Sequence, residues 1–290
     1  INGHFTLGFI YSPIFNAVSR LGGNINSVID MLVSEDEEFI REKITELINV
    51  NEERKDLTNT QVEKAEVLLQ EKGLKEVIVL YDEEFHEGIV GLIAGRLKEK
   101  YNRPTFVLTK TENGHLKGSA RSIKEFDIKK NLDKCQDLLL GYGGHTMAGG
   151  LSLEAKNLEA LEDRLIKLAQ KILTEDDYIK KFYYVDILRE NDITMDLVED
   201  LKALEPYGEG FEKPLIRLVD FNVRRVFTMG KEKEHLKLLG DKISLIAWRQ
   251  ANHYEERGNP LKVTALGFPE INVYKNNVNI QFVVDEDNFY

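Results

Sequence analysis

The sequence predicts an α/β domain followed by a mostly β domain of small-barrel type, with a helical connector on the N-terminal side. Three observations predict it. Strand-sized apolar runs alternate with helix-period segments from about residue 74 to 174. From 214 onward, short apolar runs follow one another with Gly, Asn and Pro at or between them. Between about 35 and 72 the chain is densely charged and helical in period.

Residues 1–33 read as the tail of a domain, with short apolar pieces, a break at Pro13 and the loop Gly22–Gly23–Asn24. Residues 34–73 read as the connector. Ser34 stands three before Glu37, and Thr58 three before Gln61, which are two capping-box patterns. Gly73 can stop the second helix. The α/β domain is expected over 74–176. Val77–Tyr81, Thr105–Thr109, Leu116–Ala120 and Leu151–Leu153 are its strands. Ile89, Val90, Ile93, Leu97 and Tyr101 mark one helical face, 128–139 a second helix, and Leu158 to Ile172 a third. The β domain is expected over 177–290. It has a strand at Phe182–Ile187, a short helix at Met195–Leu204, and strands at 214–228, 235–240, 242–248, 261–268, 271–275 and 278–284. Asn276–Asn277 is one of its turns, and an OB-type barrel fits the pattern.

Composition bounds the function. Of 290 residues, 42% are hydrophobic, enough for packed cores. No apolar run is long enough for a membrane helix. The single Cys135 rules out an internal disulfide framework and suits the cytoplasm. The chain begins at Ile1 and runs straight into patterned sequence, which reads as a missing N-terminal part. The net charge of −11 argues against a nucleic-acid binder. Its distribution softens that objection: Arg96–Lys134 and Lys213–Lys237 are locally basic, whereas Glu35–Glu66 is acidic. Ordinary solvated faces would give the same pattern.

Three segments can carry chemistry. In Gly141–Tyr142–Gly143–Gly144–His145–Thr146–Met147–Ala148–Gly149–Gly150, consecutive glycines let backbone N–H groups converge and let a ligand approach closely. A following short helix would add its positive end, and His145 could donate to a phosphate oxygen. A tight turn with a packed His is the competing reading. In Phe85–Arg96, Gly88, Gly91 and Gly95 share a helical face that something must approach closely. His86 stands where it could meet a phosphate or cap the helix. In Gly118–Ser119–Ala120–Arg121–Ser122, a strand ends on an arginine suited to phosphate or simply exposed, and Asp127 can cap the next helix. In the β domain, Lys213, Arg217, Arg224, Arg225, Lys231, Lys233 and Lys237 supply charge. Phe221, Phe227, Trp248 and Tyr254 are either stacking platforms or barrel core.

The order of these blocks resembles the DHH-associated domain that follows the catalytic DHH domain in RecJ-type exonucleases. The stretches that carry the likeness are His86–Gly91, Arg96–Pro104, Gly118–Ser122, Cys135–Leu139 and Gly143–His145. Leu204–Glu205–Pro206–Tyr207–Gly208–Glu209–Gly210, His235–Leu238 and Ala247–Trp248 are similar to that family's OB-like region. Pro13–Leu21 resembles the end of the DHH domain, although Asn16–Ala17–Val18–Ser19–Arg20 departs from the family's Asn-Ala-Ala-Gly-Arg. Ala148–Gly149–Gly150 likewise stands where the family has Ala-Ala-Gly.

The resemblance implies the C-terminal part of a 5′-to-3′ single-stranded-DNA exonuclease of DNA repair and recombination. It implies His145 as catalytic, in the loop shaped by Gly143 and Gly144, and Arg121 and Ser119 as DNA contacts. His86, Arg96, Arg224, Arg225 and Lys237 join them as candidate DNA-binding residues. It further implies Mn2+ or Mg2+ for the whole enzyme, an absent N-terminal DHH domain, and a single-strand-binding protein as a partner. No Asp-His-His segment or cluster of metal-ligand spacing occurs in the chain, so the chain alone is expected to be inactive. The alternatives are another DHH-superfamily phosphodiesterase, of oligoribonuclease or cyclic-dinucleotide type, and a non-catalytic single-strand-binding or scaffold protein.

Overall fold

The computed structural model describes residues 6–208, 210–275 and 277–289, and divides into two compact units, Ile1–Lys180 and Lys181–Tyr290. Glu209 and Asn276, named above in a motif and a turn, lie outside the described residues.

Unit 1 begins with a π-helical turn, Thr6–Tyr11, then α1 (Ser12–Arg20) and α2 (Asn26–Val33). The connector is one unbroken 36-residue helix, α3 (Glu37–Lys72), and not two capped ones. Its cap is Asp36, whose carboxylate accepts from the N–H groups of Glu38 and Phe39. Thr58, expected to cap a second helix, is buried in mid-helix and donates its hydroxyl to the Arg54 carbonyl at 2.7 Å. Gly73 does end the helix, at φ +81°, with its N–H on the Leu69 carbonyl.

The sheet of unit 1 comprises β1 (Ile78–Tyr81), β2 (Thr105–Lys110), β3 (Leu116–Arg121), β4 (Gly141–Gly144) and β5 (Ala148–Leu153), in the order β1-β2-β3-β5-β4. Among paired neighbours only β1 and β2 run parallel, and they are joined through a crossover helix, α4 (Val90–Tyr101). Both faces of β1 are covered, which explains its uninterrupted apolar run. Ile78 and Leu80 pack with Val62, Ala65 and Leu69 of α3 and with Ile93 and Leu97 of α4. Val77 and Val79 pack with Leu132 of α5 (Ile128–Asp133) and Leu161 and Leu165 of α6 (Leu158–Ile172). The helix expected over 128–139 stops at Asp133, followed by a 3-10 turn at Gln136–Leu138. Cys135 is buried there, and burial pushes its thiol up to about 11.

Unit 2 holds β6 (Asp186–Leu188), α7 (Met195–Ala203), β7 (Ile216–Asn222), β8 (Arg225–Met229), β9 (His235–Leu239), β10 (Ser244–Ala247), α8 (Ala251–Glu256), β11 (Lys262–Tyr274) and β12 (Asn277–Phe289). The sheet order is β6-β7-β11-β12-β10-β9-β8. β7 and β8 are two halves of one bent strand, separated by Val223 and Arg224. Its halves lie at opposite ends of the six-strand run from β7 to β8, and β10 pairs parallel with β12. That is the Greek-key arrangement of an OB-type barrel. Leu218, Phe221, Leu236, Leu238, Leu245, Val263 and Phe282 fill its core with Tyr254 of α8. The apolar run 214–228 is thus two strands, and 261–268 and 271–275 are parts of one. The first strand of the unit is confined to 186–188, and α8 had no counterpart in the apolar pattern.

Candidate nucleic-acid interface

His145 sits at the tip of the β4–β5 hairpin and is exposed. The helix expected after the glycines is absent, because β5 follows the turn directly. Anchoring comes from backbone bonds. The His145 N–H donates to the Ala148 carbonyl at 2.8 Å. The Thr146 carbonyl accepts from Ile128 N–H and the Met147 carbonyl from Ser122 N–H, both at 2.9 Å. The tip is therefore tied to both ends of the β3–α5 connection. Asp127 caps α5 by accepting from the Lys130 N–H, and that bond is the first cause of its lowered pKa.

The two glycines before His145 differ. A Cβ on Gly143 would meet nothing within 4 Å. A Cβ on Gly144, whose φ is +151°, would lie 2.5 Å from Gly149 Cα and collide with the Ala148 carbonyl oxygen. Gly149 itself has no room for a side chain beside Ile128.

On β3, Ser119 and Arg121 lie over α4. A Cβ on Gly91 would come 3.2 Å from Arg121 Nη2 and 3.3 Å from Ser119 Oγ. One turn earlier, a Cβ on Gly88 would collide with the Arg20 carbonyl oxygen, and Arg20 Nη1 donates to the Gly88 carbonyl at 3.3 Å. Of the three glycines expected on one helical face, Gly88 stands in the turn before α4, Gly91 is closely approached within the helix, and Gly95 is open. Arg121 is half-buried and lies below its ordinary pKa, first through burial and then through Arg20. Arg54 is lowered by burial, then by Arg20 and Arg96, with Glu52 acting the other way. Arg20 and Arg54 were not singled out in the sequence; Arg54 belongs to a polar stripe of Asn51, Thr58 and Gln61 at helical spacing on the buried side of α3. Among the described residues, Arg20, Arg54, Arg96 and Arg121 form no ion pair with a carboxylate.

His86 lies in the turn before α4: its Nδ1 accepts from the Gly88 N–H at 3.1 Å, and its own N–H is held by Gln61 Oε1 at 3.0 Å, while the helix cap itself, Ile89, has no side-chain bond. Arg96 is exposed and donates to Asn59 Oδ1 at 2.8 Å.

In unit 2 the four candidate aromatics separate. Phe221 and Tyr254 are barrel core, one of the two readings the sequence offered; Phe227 and Trp248 are about half exposed. Phe227 pairs across the ladder with Lys237, and Arg225 lies on the same outward face of β8. His235 of β9 meets Trp248 edge-on at 4.9 Å. Arg224, expected as a DNA contact, binds Asp241 with both arms of its fork, at 2.8 and 3.1 Å. No group of three or more His, Cys, Asp or Glu among the described residues is placed to hold a metal ion, so the divalent metal implied for the whole enzyme finds no ligand set in them.

The two units define a class by fold: a mixed α/β module of DHH-associated type, followed in the chain by an OB-type barrel. The family models agree, with a DHHA1 domain matched over residues 74–173 and a RecJ OB domain over 186–286. The chain belongs to the RecJ family. It is 28% identical over 287 residues to the single-stranded-DNA-specific exonuclease RecJ of Bacillus subtilis, covering 97% of this chain and 36% of that protein. The RecJ of Haemophilus influenzae is 27% identical, over 96% of this chain and 51% of its own length. The crystal structure of RecJ from Thermus thermophilus in complex with Mn2+ superposes with a TM-score of 0.82 at 27% identity, over 98% of this chain and 41% of that one. The chain thus spans from about a third to half the length of these relatives. No helix among the described residues is long and apolar enough to cross a membrane.

Proposed function

We propose that this chain is the strand-gripping part of a 5′-to-3′ single-stranded-DNA exonuclease that serves DNA repair and recombination in the cytoplasm. Unit 1 holds the phosphate at the cleavage point. Ser119, Arg121 and Arg20 bind it, and His145 donates to the oxygen on which charge develops. Unit 2 carries the trailing strand, with bases on Phe227 and Trp248 and phosphates on Arg225 and Lys237. Mn2+ or Mg2+ would polarise the phosphate and activate water. Its ligands belong to the part of the RecJ architecture that this chain does not span, so no step of the chemistry runs through these residues alone. Gly144 and the pinned carbonyls fix the backbone turn that carries His145, and Gly91 lets Arg121 and Ser119 lie against α4. The domain limits proposed are 33, 73 and 176.

The observation that carries this reading is the exposed His145 ring on a turn tied at both carbonyls to the β3–α5 connection. A titration of the chain with a labelled single-stranded oligonucleotide tests it. Binding should be weak, salt-dependent and without cleavage when Mn2+ is added. No binding at low salt overturns the gripping role, and cleavage by a clean preparation overturns the division of labour.

A further inference from the structure

We propose that Arg54 and Arg96 form a second phosphate subsite next to the Arg20–Ser119–Arg121 group, so that unit 1 grips two backbone phosphates of one strand. This rests on the strand-gripping reading above and adds residues and a footprint to it.

Arg54 Nε is buried and has no hydrogen-bond partner. A buried donor on a charged group with no acceptor is costly, and an anion drawn to the guanidinium would supply the missing acceptor. The nearby carboxylate, Glu52, is engaged by Lys55 at 2.7 Å. Arg96 donates to a neutral amide, Asn59 Oδ1, so its charge is uncompensated.

The surroundings argue in the same direction. The influence of Arg20 reaches Arg121 and Arg54, and that of Arg96 reaches Arg54. The geometry agrees: Arg20 bonds the Gly88 carbonyl, Gly91 lies beside Arg121 and Ser119, and Arg96, further along α4, bonds Asn59 of α3, the helix that carries Arg54. Neighbouring lysines are neutralised, Lys100 by Glu66 and Lys117 by Glu87. Like charges left together in a protein of net charge −11 oppose folding until an anion joins them. Beside Arg96, Gly95 leaves open helix surface, with no atom within 4 Å of where a Cβ would stand. A series of guanidinium forks along an open backbone suits a chain of phosphodiesters, which carries one charge per nucleotide, better than a single small anion.

The test is a competition titration of the 290-residue chain at low salt against pT, pTpT and a 5′-phosphorylated tetrathymidylate. The parent should gain about tenfold in affinity once a second phosphate is present. Arg54→Gln and Arg96→Gln should each abolish most of that gain and lower the salt slope by about one, while pT binding stays within twofold. Arg121→Gln should weaken pT itself. Variants that keep the gain, or that lose pT as much as the longer ligands, overturn the second subsite while the strand-gripping role stands. A parent that binds none of the ligands overturns both. Should Arg54→Gln not fold, as a thermal melt would report, the exposed Arg96→Gln decides the question. Arg54→Lys, which keeps charge but not the fork, should recover only part of the gain.

Discussion

Both units carry a locally basic stretch, yet the cations behave differently in each. In unit 1, Arg20, Arg54, Arg96 and Arg121 have no carboxylate partner among the described residues, and two of them are held below their ordinary pKa by burial and by one another. In unit 2, Arg224 is locked to Asp241 and Lys213 to Glu270, leaving Arg225 and Lys237 with Phe227 on an open sheet face. Counting charges along the chain does not separate these cases; pairing does. The acid-free group is preorganised for an anion, whereas the sheet face offers a looser, stacking-dominated surface.

The difference can be broken or sharpened by substitution. The largest effect falls on the turn that holds the unit 1 site. Gly144→Ala should cost roughly 2–3 kcal/mol, because the new methyl meets Gly149 and the Ala148 carbonyl, whereas Gly143→Ala should stay within about 0.5 kcal/mol. Denaturant unfolding measures both, and equal costs would deny Gly144 its special place. Next, Arg121→Gln should lower single-strand affinity about tenfold and reduce the salt slope by about one, whereas Arg224→Gln should change affinity by less than about twofold. Equal losses would erase the contrast between free and paired cations. Smaller still, Asp241→Asn should release Arg224 and raise affinity about twofold in the same titration.

The smallest effect concerns pH. Asp127 sits below its ordinary pKa mainly because the Lys130 N–H donates to it. A carboxylate depressed in the folded state stabilises above its unfolded pKa, and that stability is lost as pH falls through the folded value. Asp127→Asn should therefore weaken unit 1 near neutrality and flatten its melting temperature between about pH 5 and 3. A variant that keeps the full acid sensitivity would remove Asp127 from the account.

Much of this was legible in the sequence. Strand runs such as Val77–Tyr81 and the α4 face of Ile89, Ile93 and Leu97 follow from burial periodicity, and the glycine block around His145 marks a close backbone approach. What was not legible has physical causes. Thr58 and Gln61 look like a cap because polar residues rarely line a buried helix face, yet both are buried within α3, where Gln61 Nε2 donates to the Glu84 carbonyl. The six residues of α8 are too few for a helical period to register. The arginine group escaped because Arg20, Arg54, Arg96 and Arg121 are far apart in the chain and meet only when α1, α3, α4 and β3 pack. Arg224 and Asp241 likewise pair only once β8 lies beside β9.

The bend at Val223–Arg224 has a consequence for what unit 2 can become. One stretch of backbone, β7 running into β8, supplies both ends of the run β7-β11-β12-β10-β9-β8, so covalent bonds link the two sides of the barrel. Such a barrel resists the widening by register slip open to a sheet with two independent rims. A bulkier guest would have to be met by lengthening loops, while the diameter stays as it is.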